Sequence, residues 1–564
     1  MTDLNAGNAT FKWTTVFFRS LQSLGVQHVV ISPGSRSTPL TLAAATNDHF
    51  KKHVILDERS AAYTALGIGK ATNLPAVLIC TSGTAVANYF PAVIEARQSG
   101  IPIILATADR PPHLRATGAN QATDQLKIFG DYPVFFHEVG EPVVEDKDLK
   151  RLEMLGKQAV SASREQRGPV HLNFSFRKPL EPDPAYIAKT AEENNDTFTG
   201  QKAILSVSTS KISERITETV SKSQSPLIIV GPIAPHDATN TIRKLAEKLN
   251  CPILSETSID SPNVIKGFDG FLRNKSSLEQ LEPDLILRFG FQPTTKSLEL
   301  GLKEWKPDYH FHFASTLAWQ DATFSGAEHI SWLGKPIEIE AQNNSTLKGW
   351  FQKWEKIENE FQSYLEKNIF EQSELTDGNV YYQVTPQITE EQFLMVSNSF
   401  PARDVHLFGR QHAAIPLFLN RGVSGIDGIT STALGLSLGM EKSGVLFTGD
   451  LAFLHDTNAM LNHKLVKQPL TIFVINNNGG SIFRMLPVEQ HEKYFRPYFE
   501  TPQSTNIEKL VKSYEIPYHK IDSIAALKEF DLAEWQANYP CLSVVECKTD
   551  ADLSMQLRKE LWDF

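Results

Sequence analysis

The chain has 564 residues, with 41% hydrophobic and 21% charged residues, which is ordinary for a soluble globular protein and long enough for three or four domains. Its net charge of -10 argues against a general nucleic-acid or anionic-membrane surface, and no apolar run approaches the ~20 residues that would span a bilayer. Cys80, Cys251, Cys541 and Cys547 show neither metal-type spacing nor a disulfide framework, and the polar N-terminus lacks a signal pattern, so a reducing cytoplasm is the expected home.

Apolar residues at helical spacing predict a first helix over 11–24, stopped by Gly25. Short buried strands follow at 29–31, 54–56, 76–80 and 101–106, alternating with helices near 39–45 and 60–70 and after 84. Each strand runs into a polar loop: 32–37, Asp57-Glu58-Arg59, Thr81-Ser82-Gly83-Thr84 and Asp109-Arg110-Pro111. Alternating strands and helices predict a parallel sheet with right-handed crossovers, and ligands bind at the carboxyl edge of such sheets. The polar stretch 181–201 reads as a linker. A second block has strands at 227–230, 253–254 and 285–289 and a helix near 238–249, with fewer polar strand ends. A charged helix within 343–378 leads to a third block, with strands expected at 405–408, 445–447, 472–475 and 542–546 and helices at 433–440 and 451–465. The fold class is therefore α/β: three doubly wound parallel-sheet domains at 1–185, 200–345 and 375–564.

Gly449-Asp450 and Asn476-Asn477-Asn478-Gly479-Gly480 follow two strands separated by one helix, so both loops leave the same sheet edge. One offers a carboxylate and the other carboxamides and freed backbone, the hard oxygen donors an octahedral divalent ion takes when water and phosphate fill the rest. Taken singly, each dipeptide is also a common turn. Glu58 at a helix start equally suits simple complementation of the helix dipole. The stretch Gly67-Ile68-Gly69-Lys70-Ala71 fails as a P-loop: Ala71 stands where a metal-binding hydroxyl is needed, and Thr64 where the first glycine is needed. Arg36, Arg110, Arg403 and Arg421 lie in loops or near element ends, where guanidinium forks suit a substrate with several carboxylates, although any one of them could be a surface arginine. Arg421-Gly422-Val423-Ser424-Gly425-Ile426-Asp427-Gly428 carries three glycines, which imply close backbone approach.

Together these stretches resemble the thiamine-diphosphate-dependent enzymes. The similarity rests on Ser32-Pro33-Gly34-Ser35-Arg36-Ser37-Thr38-Pro39-Leu40, Asp57-Glu58-Arg59-Ser60-Ala61-Ala62, Thr81-Ser82-Gly83-Thr84-Ala85, the Arg421–Gly428 loop and Asn476 through Phe483. It is dense in the first and third blocks and weak in the middle. The resemblance implies a pyrimidine-binding first domain and a third domain holding the diphosphate through Mg²⁺ or Mn²⁺. Asp450, Asn477 and the Gly479 carbonyl are the implied metal ligands. Ser424, Gly425, Ile426, Gly449, Leu451, Ala452 and Ile482 are implied cofactor contacts, with Ile426 wedging the cofactor into its bent shape. Ala452 stands where many relatives have serine, which removes one hydroxyl contact. Glu58 is the implied catalytic residue, hydrogen-bonded to the pyrimidine ring. The match extends to members that join 2-oxoglutarate to isochorismate, and Ser35, Arg36, Arg110, Asn120, Gln121, Lys296, Ser399, Arg403, Arg421, Ile482, Phe483 and Leu486 occupy positions of that substrate pocket. Glu58 and Asp450 lie in different blocks, so the resemblance implies a homodimer with active sites at the subunit interface, or a dimer of dimers. No nucleic-acid partner or membrane insertion is expected. Alternatives are another decarboxylase or carboligase of the superfamily, such as an acetolactate synthase, or a non-catalytic relative.

Overall fold

The computed structural model describes residues 4–193, 216–220, 222–232, 236–314, 321–332, 345–412 and 414–564. Among the described residues there are three wholly parallel sheets with helices between the strands. The first is β1 (His28–Ile31), β2 (Lys51–Val54), β3 (Ala76–Cys80), β4 (Ile103–Asp109), β5 (Phe135–Gly140) and β6 (Pro169–Ser175), in spatial order β2-β1-β3-β4-β6-β5. The second is β7 (Pro226–Val230), β8 (Ile253–Ser255), β9 (Leu285–Phe289), β10 (Tyr309–Ala314) and β11 (Glu328–Ser331), in order β11-β10-β9-β7-β8. The third is β12 (Phe393–Val396), β13 (Leu417–Leu419), β14 (Gly444–Gly449), β15 (Leu470–Asn476), β16 (Tyr518–Ile521) and β17 (Leu542–Lys548), in order β13-β12-β14-β15-β17-β16. In each sheet the first strand lies between the second and third, so the connections diverge there and open a crevice beyond the strand ends. In the second sheet that place is closed by backbone: a Cβ on Gly231, just after β7, would lie 2.1 Å from the Phe291 carbonyl oxygen.

Two compact units result. The first comprises Met1–Leu205, Asp427–Glu441 and Asp456–Lys467. Helix Glu58–Thr72 begins on an Asp57 cap, whose carboxylate accepts from the Ser60 N–H at 3.1 Å. Its small residues let it meet helix Ile429–Met440 backbone to backbone. A Cβ on Gly67 would fall 2.2 Å from the Thr432 oxygen, and one on Gly435 2.1 Å from the Thr64 oxygen. The buried Asp456 carboxylate accepts from the Ser431 N–H at 2.7 Å and hydroxyl at 3.1 Å, holding that second helix at its start. Gly428, at φ 65°, lies against the Tyr63 ring, so one of the three glycines of that loop serves packing within the protein.

The second unit comprises Ser206–Ile426, Lys442–His455 and Gln468–Phe564. Helix Ser345–Phe370 buries Trp354 and Phe361 against Phe271. The central strands β14 and β15 carry apolar runs at 445–447 and 472–475 and are buried except at their last residue, as strands covered on both faces must be.

Three local expectations change. The second strand is β2 at Lys51–Val54, not 54–56: it is an edge strand, paired with β1 alone, so its sequence is charged, and Leu56 beyond it is 70% exposed. Residues 405–408 are not a strand but the end of helix Phe400–Leu407 and its cap; the strand is β12, at Phe393–Val396. Residues 451–465 form a short α-helix, Asp450–His455, followed by a 3-10 segment, Thr457–Leu465. The polar stretch 181–201 holds helix Pro184–Glu193, and residues 194–201 lie outside the described residues. Among the described residues no helix is long and apolar enough to cross a membrane.

A stacked pair, His28 on β1 and His53 on β2, is expected to make the first unit acid-sensitive. Their rings lie 5.3 Å apart, with Nδ1 of His28 3.0 Å from Nε2 of His53. Burial, with nearby Lys51, lowers each from the usual 6.5 to about 4. Folding therefore favours the neutral rings, and this stability, complete above pH 6.5, drains away as pH falls toward 4. A loss of ~1–3 kcal/mol is expected across that window. His53→Gln should flatten the pH dependence of the melting temperature between pH 7 and 4.5; an unchanged slope would refute the assignment.

Candidate active site

The second unit contains a cavity of about 410 Å³ walled by the loops leaving β12, β14 and β15 and by residues 421–426. Asp450 opens helix Asp450–His455, and its Oδ1 accepts from the Leu451 N–H at 2.9 Å. A helix start favours a carboxylate. Burial outweighs this, with the Asp377 charge adding to it, and pushes the Asp450 carboxyl up to about 7. An ionised Asp450 therefore calls for a cation beside it. Asn477 donates through Nδ2 to Asp377 Oδ2 at 3.1 Å, which leaves its Oδ1 as an oxygen donor. Gly479 adopts φ 129°, and a Cβ there would sit 2.3 Å from the Glu500 carbonyl oxygen, so no other residue fits. Its own carbonyl accepts from the Ser481 N–H at 2.9 Å and retains a second lone pair. Beside it, a Cβ on Gly449 would meet nothing within 4 Å, so that side of the cradle is open to a ligand.

The second wall is basic. Arg421 Nη1 donates to Asn398 Oδ1 at 3.1 Å, and Asn398 Nδ2 donates to the carbonyls of Asn420 at 2.7 Å and Gly425 at 2.6 Å. Asn398 thus ties the 420–425 loop to the end of β12. Arg403 Nη1 donates to the Ser399 carbonyl at 2.7 Å, and burial lowers its guanidinium from the usual value. Ser399 at φ 76°, Ser424 at φ 58° and Asn478 at φ 66° hold left-handed backbone without being glycine. Strain of this kind costs of order 1–3 kcal/mol each and clusters at ligand sites. Ile426, Leu451, Ala452, Ile482 and Phe483 supply the apolar lining. Of the positions named from sequence in this unit, Gly425, Leu486 and Lys296 do not line the cavity. Lys296 is ion-paired with Glu299 at 3.1 Å, and Leu486 is 50% exposed.

The first unit gathers its own set at the carboxyl edge of its sheet. Glu58 is the first residue of its helix and is half-buried; its Oε2 accepts a long 3.4 Å bond from Asn88. Arg36 is buried and donates to the Phe176 carbonyl at 2.6 Å, while its N–H reaches Thr81 Oγ1 at 3.3 Å. Gln121, at φ 58°, exchanges bonds with Ser82: Nε2 to the Ser82 carbonyl at 2.9 Å, and Ser82 Oγ to the Gln121 carbonyl at 3.0 Å. Ser35 and Asn120 are exposed, and Arg110 directly follows β4. Sequence reasoning missed Arg115, which joins Asp109 at 3.0 Å to Glu138 and anchors the 110–121 loop. It also missed Asp377, Asn398, Asp404, Glu500 and Arg558. Asn398 sits in a polar loop right after β12, a signal hidden by placing that strand at 405–408.

Among the described residues no group of three His, Cys, Asp or Glu is placed to hold a metal. The Asp450 set instead offers one carboxylate, one carboxamide and one carbonyl, which suits a magnesium-like ion completed by a diphosphate. The buried Asp450 carboxylate, and the open space beside Gly449 where a Cβ would meet nothing within 4 Å, both fit that group.

Comparison with known proteins agrees. Residues 11–128 match the thiamine pyrophosphate enzyme N-terminal TPP binding domain and residues 412–545 the C-terminal TPP binding domain. Fold and site therefore define a thiamine-diphosphate-dependent enzyme that works with a divalent metal ion. Three relatives are all 2-succinyl-5-enolpyruvyl-6-hydroxy-3-cyclohexene-1-carboxylate synthases. That of Bacillus velezensis is 35% identical over 95% of this chain and 94% of its own length. Those of Trichodesmium erythraeum and Listeria innocua are 36% and 34% identical, over 92% and 98% of this chain and 92% and 97% of their own lengths. The chain belongs to the 2-succinyl-5-enolpyruvyl-6-hydroxy-3-cyclohexene-1-carboxylate synthase family.

Proposed function

We infer that this chain decarboxylates 2-oxoglutarate and adds the resulting four-carbon succinyl unit to isochorismate in a 1,4 sense, a step of menaquinone biosynthesis. The products are 2-succinyl-5-enolpyruvyl-6-hydroxy-3-cyclohexene-1-carboxylate and CO₂. The observation that carries this is the pairing of the Asp450–Asn477–Gly479 oxygen donors with Arg403 and Arg421 around one cavity, in a chain of this family. Thiamine diphosphate, when bound, supplies the nucleophilic carbon and the electron sink. Asp450, Asn477 and the Gly479 carbonyl hold Mg²⁺ or Mn²⁺ against its diphosphate. Ser424, Gly425, Ile426, Leu451, Ala452 and Ile482 seat it, with Ile426 as the wedge. Glu58 holds a proton at the pyrimidine ring. Arg36, Arg110, Arg403 and Arg421 neutralise the substrate carboxylates, helped by Ser35, Asn120, Gln121, Lys296 and Ser399. Phe483 would face the ring of isochorismate, with Leu486 extending that apolar wall just outside the cavity lining.

Glu58 and the Asp450 set lie in different compact units, which supports a homodimer in which a second copy of the chain contributes Glu58. Pairing of dimers into a tetramer is the further possibility, and the cytoplasm is the proposed location. The three sheets are the proposed cores of domains 1–185, 200–345 and 375–564.

Arg421→Ala is expected to act on substrate handling. It removes one guanidinium from the cavity and one donor from Asn398 Oδ1, while the Asn398 Nδ2 bonds to the loop remain, so KM for an acidic substrate should rise by roughly tenfold to a hundredfold, the ~1.5–3 kcal/mol of a charge-assisted hydrogen bond. Steady-state kinetics beside a melting curve checks this. A lower melting temperature with unaltered KM would make the arginine structural.

A further inference from the structure

The C-terminal helix, Ala551–Trp562, reaches the cation site by two chains of polar contacts. In the first, Arg558 is wholly buried. Its Nε donates to Asp404 Oδ1 at 2.8 Å and its Nη2 to Asp404 Oδ2 at 2.5 Å and Asp377 Oδ2 at 2.6 Å. The guanidinium also lies over the Phe400 ring, 3.7 Å from its centroid. Asp377 takes a further bond from Thr549 Oγ1 at 2.6 Å and then accepts from Asn477 Nδ2. In the second chain, Asp552 pairs with Arg484, Arg484 Nε donates to Glu500 Oε1 at 2.9 Å, and the Glu500 carbonyl receives the Gly480 N–H at 2.6 Å.

These contacts decide which end of the Asn477 carboxamide faces the cavity. An asparagine has one oxygen and one N–H₂ end of nearly equal shape, and only the oxygen can ligate a cation. Turned over, Asn477 would press its oxygen against the Asp377 carboxylate. Asp377 therefore fixes the orientation, and Arg558 fixes Asp377 and supplies the counter-charge that a carboxylate this deeply buried needs.

We propose that Arg558, acting through Asp377, is a positioning residue for the metal-ligating carboxamide of Asn477. This rests on the assignment of Asn477 as a ligand. Partners that orient metal ligands typically contribute 10–100-fold to affinity. The test uses the full-length enzyme with thiamine diphosphate present and measures Mn²⁺ binding by the paramagnetic resonance of the free ion. Arg558→Met and Asp377→Ala should weaken Mn²⁺ by ~10–100-fold, Arg558→Lys should recover part of the loss, and kcat should return toward the parent value at saturating metal. Asn477→Ala is the control. If it leaves Mn²⁺ affinity unchanged, the ligand assignment fails. If it weakens binding while folded Asp377→Ala and Arg558→Met bind Mn²⁺ like the parent, the positioning role is overturned. Removing one partner of a buried pair costs ~3–5 kcal/mol, enough to unfold a marginal variant, so the test does not depend on Arg558→Met. Thr549→Val, which loosens Asp377 from its other side, then carries the test beside Asp377→Ala: parent-like affinity in both overturns the proposal, and weakened affinity in both supports it.

Discussion

Glu58→Gln is expected to lower kcat by ~10²–10⁴ with metal and cofactor saturating, the range for a positioned proton-transfer group. The substitution keeps size and an acceptor oxygen but cannot hold the acidic proton. The local structure should survive it. Asp57, not Glu58, caps the helix, and Glu58 itself contributes one long bond with Asn88. An unchanged melting temperature beside the lost turnover would separate chemistry from folding. Near-normal turnover would remove Glu58 from the mechanism.

Asp450→Ala should abolish metal-dependent binding of thiamine diphosphate. The set holds a single carboxylate, so its loss leaves only neutral donors for a divalent ion, and retained carbonyl and carboxamide oxygens cannot replace the charge. Calorimetric titration of cofactor with and without Mg²⁺ checks this; equal affinity in variant and parent would refute the metal role. The stability change runs the other way. Burial makes the ionised carboxyl costly. Without metal at pH 8 the variant should therefore melt at or above the parent, which distinguishes loss of a ligand from unfolding.

The strands that position the site were legible where they are buried on both faces. Ala76–Cys80 and Leu285–Phe289 match the expected bounds, and β14 and β15 extend the expected runs by one to two residues at each end. Edge strands were not legible in this way. Lys51–Val54 is charged and paired on one side, and Tyr518–Ile521 likewise lacks a continuous apolar run. The 405–408 stretch misled because its apolar residues belong to a buried helix, and a short apolar run has no periodicity that separates helix from strand. Residues that act on a ligand through others were the least legible. Asp377 and Asn477 are a hundred positions apart, and Arg558 and Asp404 are 154 apart, so their pairing exists only once the sheet is wound. The turn dipeptides that looked ordinary singly gained their meaning from the order of strands, which brings the loops after β12, β14 and β15 to one crevice.

The most direct test is a carboligation assay on the purified chain with 2-oxoglutarate and isochorismate, run with and without thiamine diphosphate and Mg²⁺ or Mn²⁺. CO₂ release and formation of 2-succinyl-5-enolpyruvyl-6-hydroxy-3-cyclohexene-1-carboxylate only when metal, cofactor and both substrates are present is the predicted result. No CO₂ from 2-oxoglutarate, or efficient condensation of pyruvate in its place, would contradict it.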